Sequence, residues 1–391
     1  MKKIILLFTF VFSFTLVIGQ NTAVTNQNGD ANSGSQTQTG NLNDATINQT
    51  SATGADFGQS ATQNQLGLEN MATINQIGVG NADATFSNEA SQTQEGDKNI
   101  ATIVQEGENN VATQSQIGSL NTATSASIGD ENQSRTKVTG DGNSVTVSQT
   151  GGNKNRSNTT ITGSDNIVND TQFGTSNFGR VLITHASSST NTINLSASGN
   201  ENSNYWALNA SSNNDVDVTI TGNENRNSGR IEGDGNDIDV VQVGSENWVT
   251  ESGSPKDAQD GIKIVGNYNK ASITQIGNTN VGVILQTGNY NHALIAQNGD
   301  ANKAKVVQEN GDLNTVNLTQ NGGSMADILQ QGSSNYVMGI GVDPMATSFD
   351  GSTLDIDQIG DSNTAHVQQT NAGNGTIMQM GNNNVSTIIQ N

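Results

Sequence analysis

The stretch "NQLGLENMATINQIGVGNADA", Asn64 to Ala84, places Gln-x-Gly-x-x-Asn at Gln65, Gly67 and Asn70, and repeats it eleven residues later at Gln76, Gly78 and Asn81. The same triad stands at Gln94, Gly96 and Asn99, at Gln105, Gly107 and Asn110, and at Gln116, Gly118 and Asn121. It returns at Gln275, Gly277 and Asn280, at Gln286, Gly288 and Asn291, and at Gln297, Gly299 and Asn302. A fixed internal period constrains the fold more than any local propensity, because every unit must find the same environment.

Written out, the unit is Asn-x-Ala-x-Ile-x-Gln-x-Gly-x-x, as in "NKASITQIGNT" (Asn269 to Thr279). Its first seven residues alternate, so Asn, Ala, Ile and Gln all point to one face of an extended strand. The Gly that follows takes positive φ and turns the chain. One short strand is not stable alone, so its neighbours must supply the missing contacts. If two units close one coil, the period is 22 residues and each unit lies over the one two places before it. The expected fold is therefore all-β: a β-solenoid of two strands per coil, amyloid-forming, with Ala and Ile filling a thin interior. Asn and Gln then stack as amide ladders. About 370 mature residues predict roughly 17 coils and a rod on the order of 80 Å long.

Such a fold explains a composition that would not serve an ordinary globular core. Only 31% of the 391 residues are hydrophobic and 4% aromatic. Charged residues make up 13%, fewer than most disordered polar chains carry. The net charge of −21 argues against nucleic acid as a partner, since phosphate contacts need Lys and Arg clustered on one face and no such cluster is expected. Cysteine is absent, which excludes a disulfide framework.

Lys2 and Lys3 precede the apolar run Ile4 to Ile18, and Gly19 opens a polar region. This is the pattern of a secretory signal over residues 1–19, and the apolar run is short for a spanning helix. No integral membrane span is expected. Regular repeats are expected over residues 20–174, irregular ones over 175–261, and regular ones again over 262–391 with an edge-loop insertion near 333–357. The glycine step also stretches between Gly40 and Gly67 and between Gly174 and Gly199, where longer edge loops are expected. Pro255 and Pro344 fall where the repeat fails, as proline cannot donate to a strand ladder.

Candidate chemistry is sparse. His185, His292 and His366 lie far apart, and the pairs Asp237/Asp239 and Asp355/Asp357 read as solvated faces of strands. "EGDGNDIDV" (Glu232 to Val240) departs from the calcium-binding nonapeptide at its first Gly and its apolar site, on a period of eleven instead of nine. No catalytic residue, metal site or cofactor is expected, and the chain reads as a non-enzyme.

The spacing Gln65-x-Gly67-x-x-Asn70-x-Ala72-x-x-x-Gln76, repeated from Gln94 to Gln105 and from Gln297 to Gln308, resembles the curlin repeat of curli fibre subunits. The family's first-strand Ser is usually Asn here, as in Asn70 and Asn269. The resemblance implies a secreted subunit of a diderm bacterium that leaves through an outer-membrane secretion pore. It also implies polymerisation with a nucleator subunit into extracellular amyloid fibres at the cell surface, serving adhesion and biofilm matrix. The last unit, with Asn384, Ser386, Ile388 and Gln390, is expected to dock on the coil around Asn32 to Gln49 of another copy, since an uncovered strand edge is a template. The alternative reading is a soluble monomeric β-solenoid adhesin that binds carbohydrate or ice through one face.

Overall fold

The structure, a computed structural model, describes residues 19–51, 58–78, 87–250, 261–340, 345–349 and 351–391. Residues 1–18, which contain all of the expected signal segment except Gly19, lie outside that set, as do Pro255 and Pro344. Among the described residues there is no helix, and hence none long and apolar enough to cross a membrane. The chain is a β-solenoid in which successive strands alternate between two parallel sheets.

The first sheet begins with Thr22–Asn28 and ends with Val385–Gln390; the second begins with Ser33–Asn41 and ends with Asn374–Met380. Most strands are seven residues long, the length that the alternating half of the repeat dictates. Stacking is in register, so that Ala72 pairs with Ala101, Ile74 with Ile103 and Gln76 with Gln105. Among the described residues the sheets contain 17 and 16 strands. Trp248–Val249 and Ile262–Val265 share one rung, as do Tyr336–Met338 and Ala346–Phe349. The solenoid therefore has about 15 coils and is about 70 Å long at the usual strand spacing. This is shorter than the length-based expectation, because paired strands often stand more than 22 residues apart, 27 from Asp44 to Met71 and 33 from Asp237 to Lys270.

Residues 175–250 continue the coil. Phe178–Ile183, Ser203–Asn209 and Arg226–Glu232 stack in register in the second sheet, with Thr192–Ser198 and Asp215–Thr221 opposite. A longer connection does fall between Ile183 and Thr192, inside the stretched Gly174 to Gly199 interval.

Buried side chains form two apolar clusters. A small one holds Ile47, Ala61, Ile74, Ala90, Ile103 and Ala112. A long one runs from Val138 to Ile377 and contains Trp206, the largest fully buried side chain. Ser125, Ser127, Ser134 and Thr136, all buried, separate them. Trp206 fits because the next rung presents Gly229, where a Cβ would lie 2.1 Å from the indole.

Each corner follows one plan. Gly96 has φ 110°, and a Cβ there would stand 2.1 Å from the carbonyl oxygen of Gly118 on the next coil. Only glycine permits corners to stack this closely. Two residues later Lys98 takes φ 57°, and Leu120 (61°) and Tyr268 (56°) do the same at their corners. This second left-handed position is glycine at Gly142 and Gly235 but a side-chain-bearing residue at most corners, and the repeat pattern did not announce it. Its cost, about 1 kcal/mol per residue, is offset by corner hydrogen bonds such as Lys98 N–H to Leu68 O at 2.9 Å.

Candidate functional site

The Asn of each repeat ends the corner and precedes the strand, where a backbone N–H has no ladder partner. In the first sheet sixteen asparagines, from Asn21 to Asn384, form one column in which each backbone N–H donates to the side-chain Oδ1 one coil earlier. Asn70, Asn99, Asn121 and Asn291 belong to it. Asn99 is typical: its N–H and Nδ2 donate to Asn70 Oδ1 at 2.9 and 3.1 Å, and its Nδ2 also donates to Gly118 O at 2.7 Å. Each side chain thus satisfies buried backbone groups on the coils before and after it.

The second sheet has its own column, through Asn32, Gln59, Asn88, Asn110 and on to Asn280, Asn302 and Ser324. Asn81 lies outside the described residues, and the ladder place that the spacing gave it is occupied by Asn88, whose N–H donates to Gln59 Oε1. Near its far end the column loses its amides, passing from Ser324 to Ser352 and Gly373.

Interior glutamines stack with the opposite polarity. Gln65 Nε2 donates to Gln94 Oε1 at 2.9 Å and Gln94 to Gln116 at 3.0 Å, while in the first sheet Gln76 donates to Gln105 at 2.8 Å. The same holds from Gln275 to Gln297 and from Gln286 to Gln308, both at 2.9 Å. Nε2 also bridges the sheets: Gln76 donates to the carbonyls of Ser60 and Asn88. Where a column restarts after an apolar rung, its first acceptor is orphaned, as at Gln242 Oε1 and Gln286 Oε1. Of the glycines, Gly67, Gly107, Gly118, Gly277, Gly288 and Gly299 turn corners at positive φ, and Gly78 donates its N–H to Thr50 O. In the final unit Asn384 and Gln390 join their columns, Ser386 accepts from Gln379 Nε2, and Ile388 packs on the core.

A third column escaped sequence reasoning. The residue after the corner glycine is often Asp or Asn, and its Oδ1 accepts an N–H one coil earlier: Asp97 from Leu68, Asp141 from Ser119, Asp300 from Asn278. Part of the acidity is therefore structural. The recurring Gly-Asp and Gly-Asn dipeptides were the available signal.

Charge also gathers where the linear sequence scatters it. All five arginines, Arg135, Arg156, Arg180, Arg226 and Arg230, occupy outward positions of the second sheet. On the opposite outer surface Asp215 and Asp217 lie directly beside Asp237 and Asp239. Among the described residues no group of His, Asp or Glu could hold a metal ion. His292 is pushed below its usual pKa by burial and then by Lys270. Among the described residues one carboxylate is interior: Asp170 is held by Ser157 Oγ at 2.5 Å and by Gln172, and burial pushes it up to about 6 against those bonds.

Residues 233–277, 266–297 and 291–322 each match the family model of the curlin associated repeat. No curated protein matches the chain. Residues 233–322 are thus made of curlin associated repeats, and the asparagine column of that stretch runs without interruption into the coils on both sides.

Proposed function

We propose that the chain is a secreted, non-enzymatic structural subunit that stacks end to end on copies of itself, building curli-type amyloid fibres for cell-surface adhesion and biofilm matrix. The curlin repeats and the solenoid fit a curli-type structural subunit. The observation that carries the reading is the polarity of the columns. In the corner columns each asparagine N–H donates to the preceding coil, and in the interior columns glutamine Nε2 donates to the following one, so a second copy stacked in the same sense extends both. Among the described residues Val385–Gln390 pairs only with Thr364–Gln369, and Thr22–Asn28 only with Asp44–Thr50. The receiving coil in this proposal includes Thr22–Asn28, one strand before the region around Asn32 to Gln49. Secretion through an outer-membrane pore and nucleation by a partner subunit complete the reading.

The test is seeded growth. Thioflavin fluorescence and electron microscopy of the mature chain, diluted from denaturant, are expected to show unbranched fibres that elongate faster on preformed seeds. Deleting Asn384 to Asn391 is expected to slow elongation. Stable β-rich monomers at high concentration would overturn the proposal in favour of a solitary adhesin.

A further inference from the structure

The outer surfaces of the central coils carry opposite charge. From Gln133 to Val265 the outward positions of the second sheet hold Arg135, Lys137, Arg156, Arg180, Arg230 and Lys263, besides Arg226. Glu232, paired with Arg230, is the one acidic residue at an outward strand position there among the described residues. Aromatic rings fix the cations. Arg156 lies 6.0 Å from the ring centre of Phe178, Arg180 4.8 Å from Tyr205, and Arg226 5.4 Å from Trp248. Each ring stands one rung beyond its arginine. A shallow groove of about 710 Å³ runs between Phe178, Arg180, Tyr205 and Arg226, with Glu201 at its rim.

Behind this face, on the first sheet, Asp215, Asp217, Asp237 and Asp239 fill a square of outward positions on two consecutive rungs. Lys270 meets one of them, at 2.7 Å from Asp237. The Asp215 carboxyl is held above its usual range by partial burial and then by its three acidic neighbours. That repulsion would be relieved by an incoming cation.

We infer that the arginine-rich face of one solenoid docks side by side on the acidic face of a second copy. Rung pitch selects this occupant. Carboxylates on stacked strands repeat at about 4.8 Å, and the arginines stand on the same rung lattice at multiples of that pitch, Arg135 two rungs before Arg180 and Arg156 three before Arg226, so a second solenoid is commensurate with the face by construction. A flexible polyanion has no such spacing. Guanidinium groups anchored over rings are already oriented, which lowers the entropy lost on docking. Because each copy carries both faces, the contact is heterologous and propagates sideways. Away from these faces a chain of net charge −21 repels its copies, so the pairing also selects the register.

This inference is independent of end-to-end stacking, and the experiment separates the two. Lateral association is measured by sedimentation velocity of soluble chains at low salt and by bundle width of fibres in micrographs. Arg156→Glu with Arg180→Glu, or Asp215→Lys with Asp217→Lys, is expected to weaken lateral pairing at least tenfold with an unchanged circular dichroism spectrum. An equimolar mixture of the two variants is expected to restore it. Arg156→Gln with Arg180→Gln gives a milder loss should the reversed variant fold poorly. Pairing that survives either reversal overturns the inference, as does a loss that mixing does not rescue. Weakened binding of a heparin or DNA oligomer with lateral pairing intact would assign the face to polyanions and equally overturn it. Fibres that elongate but no longer bundle leave end-to-end growth untouched.

Discussion

The coils from Ser33 to Ile117 and those from Gln133 to Val265 share one backbone and fill it with different chemistry. In the earlier coils the second sheet points Gln63 and Gln65, Gln92 and Gln94, then Gln114 and Gln116 inward. In the later ones the same places hold Thr136 and Val138, Thr159 and Ile161, Val181 and Ile183, then Trp206 and Leu208. The asparagine columns at the corners run through both. An interior glutamine bonds to the glutamines before and after it and to one or two carbonyls of the opposite sheet, and a whole column is exchanged for aliphatic side chains with an orphaned glutamine oxygen where it restarts. A corner asparagine satisfies backbone groups that exist whatever the core contains, so it persists where the core changes, and gives way to Ser324, Ser352 and Gly373 at the far end of the second sheet.

The largest break in the comparison is expected at the aliphatic core. Trp206→Ala opens a cavity beside Gly229 and is expected to lower the local stability of Ser203–Asn209 by about 4 kcal/mol. Amide hydrogen exchange should report that loss there and leave Met71–Ile77 unchanged. Equal losses in both regions would mean that the coils are not energetically local.

Next comes the pH dependence of the central coils. Asp170 has its carboxyl raised from 3.8 to about 6 by burial. Below pH 3.8 the carboxyl is protonated in both the folded and the unfolded chain and costs nothing. As pH rises towards 6 the unfolded chain releases its proton first, and stability falls by about 3 kcal/mol in all before levelling off. Exchange protection of Ile167–Phe173 measured from pH 3.5 to 7 should follow this decline. Asp170→Asn should flatten it.

The smallest effect sharpens the contrast. Gln94→Leu leaves Gln116 Oε1 without its donor and is expected to cost about 2 kcal/mol. Replacing Gln38, Gln65, Gln94 and Gln116 together by Ile makes the earlier coils resemble the later ones. Its cost, read by denaturant titration, is expected to fall well below the sum of the four single changes. Strict additivity would show that these amides do not act as a column.

The strand length, the inward face and the glycine corners were legible because they are local. Alternation at Ala72, Ile74 and Gln76 fixes which side chains point in, and Gly78 marks where the strand stops. Which asparagine meets which was not local: Asn70 bonds to Asn99, across 29 residues, whereas Asn121 bonds to Asn99 across 22. The place reserved for Asn81 went to Asn88 for the same reason. Arginines spread from Arg135 to Arg230 show no run in the sequence, yet they stand on one face because alternate strands return to the same sheet.

By itself, then, the amino-acid order determined that this chain coils, with seven-residue strands, glycine corners and amides turned inward, since side-chain alternation and glycine's positive φ act over a few neighbouring residues. Tertiary structure alone decided the number of coils, the partners within each ladder, the second left-handed corner position and the opposite charge of the two outer faces. The physical reason is that a corner can absorb extra residues without shifting the register of the strands it joins, so distance along the chain ceases to measure distance in space.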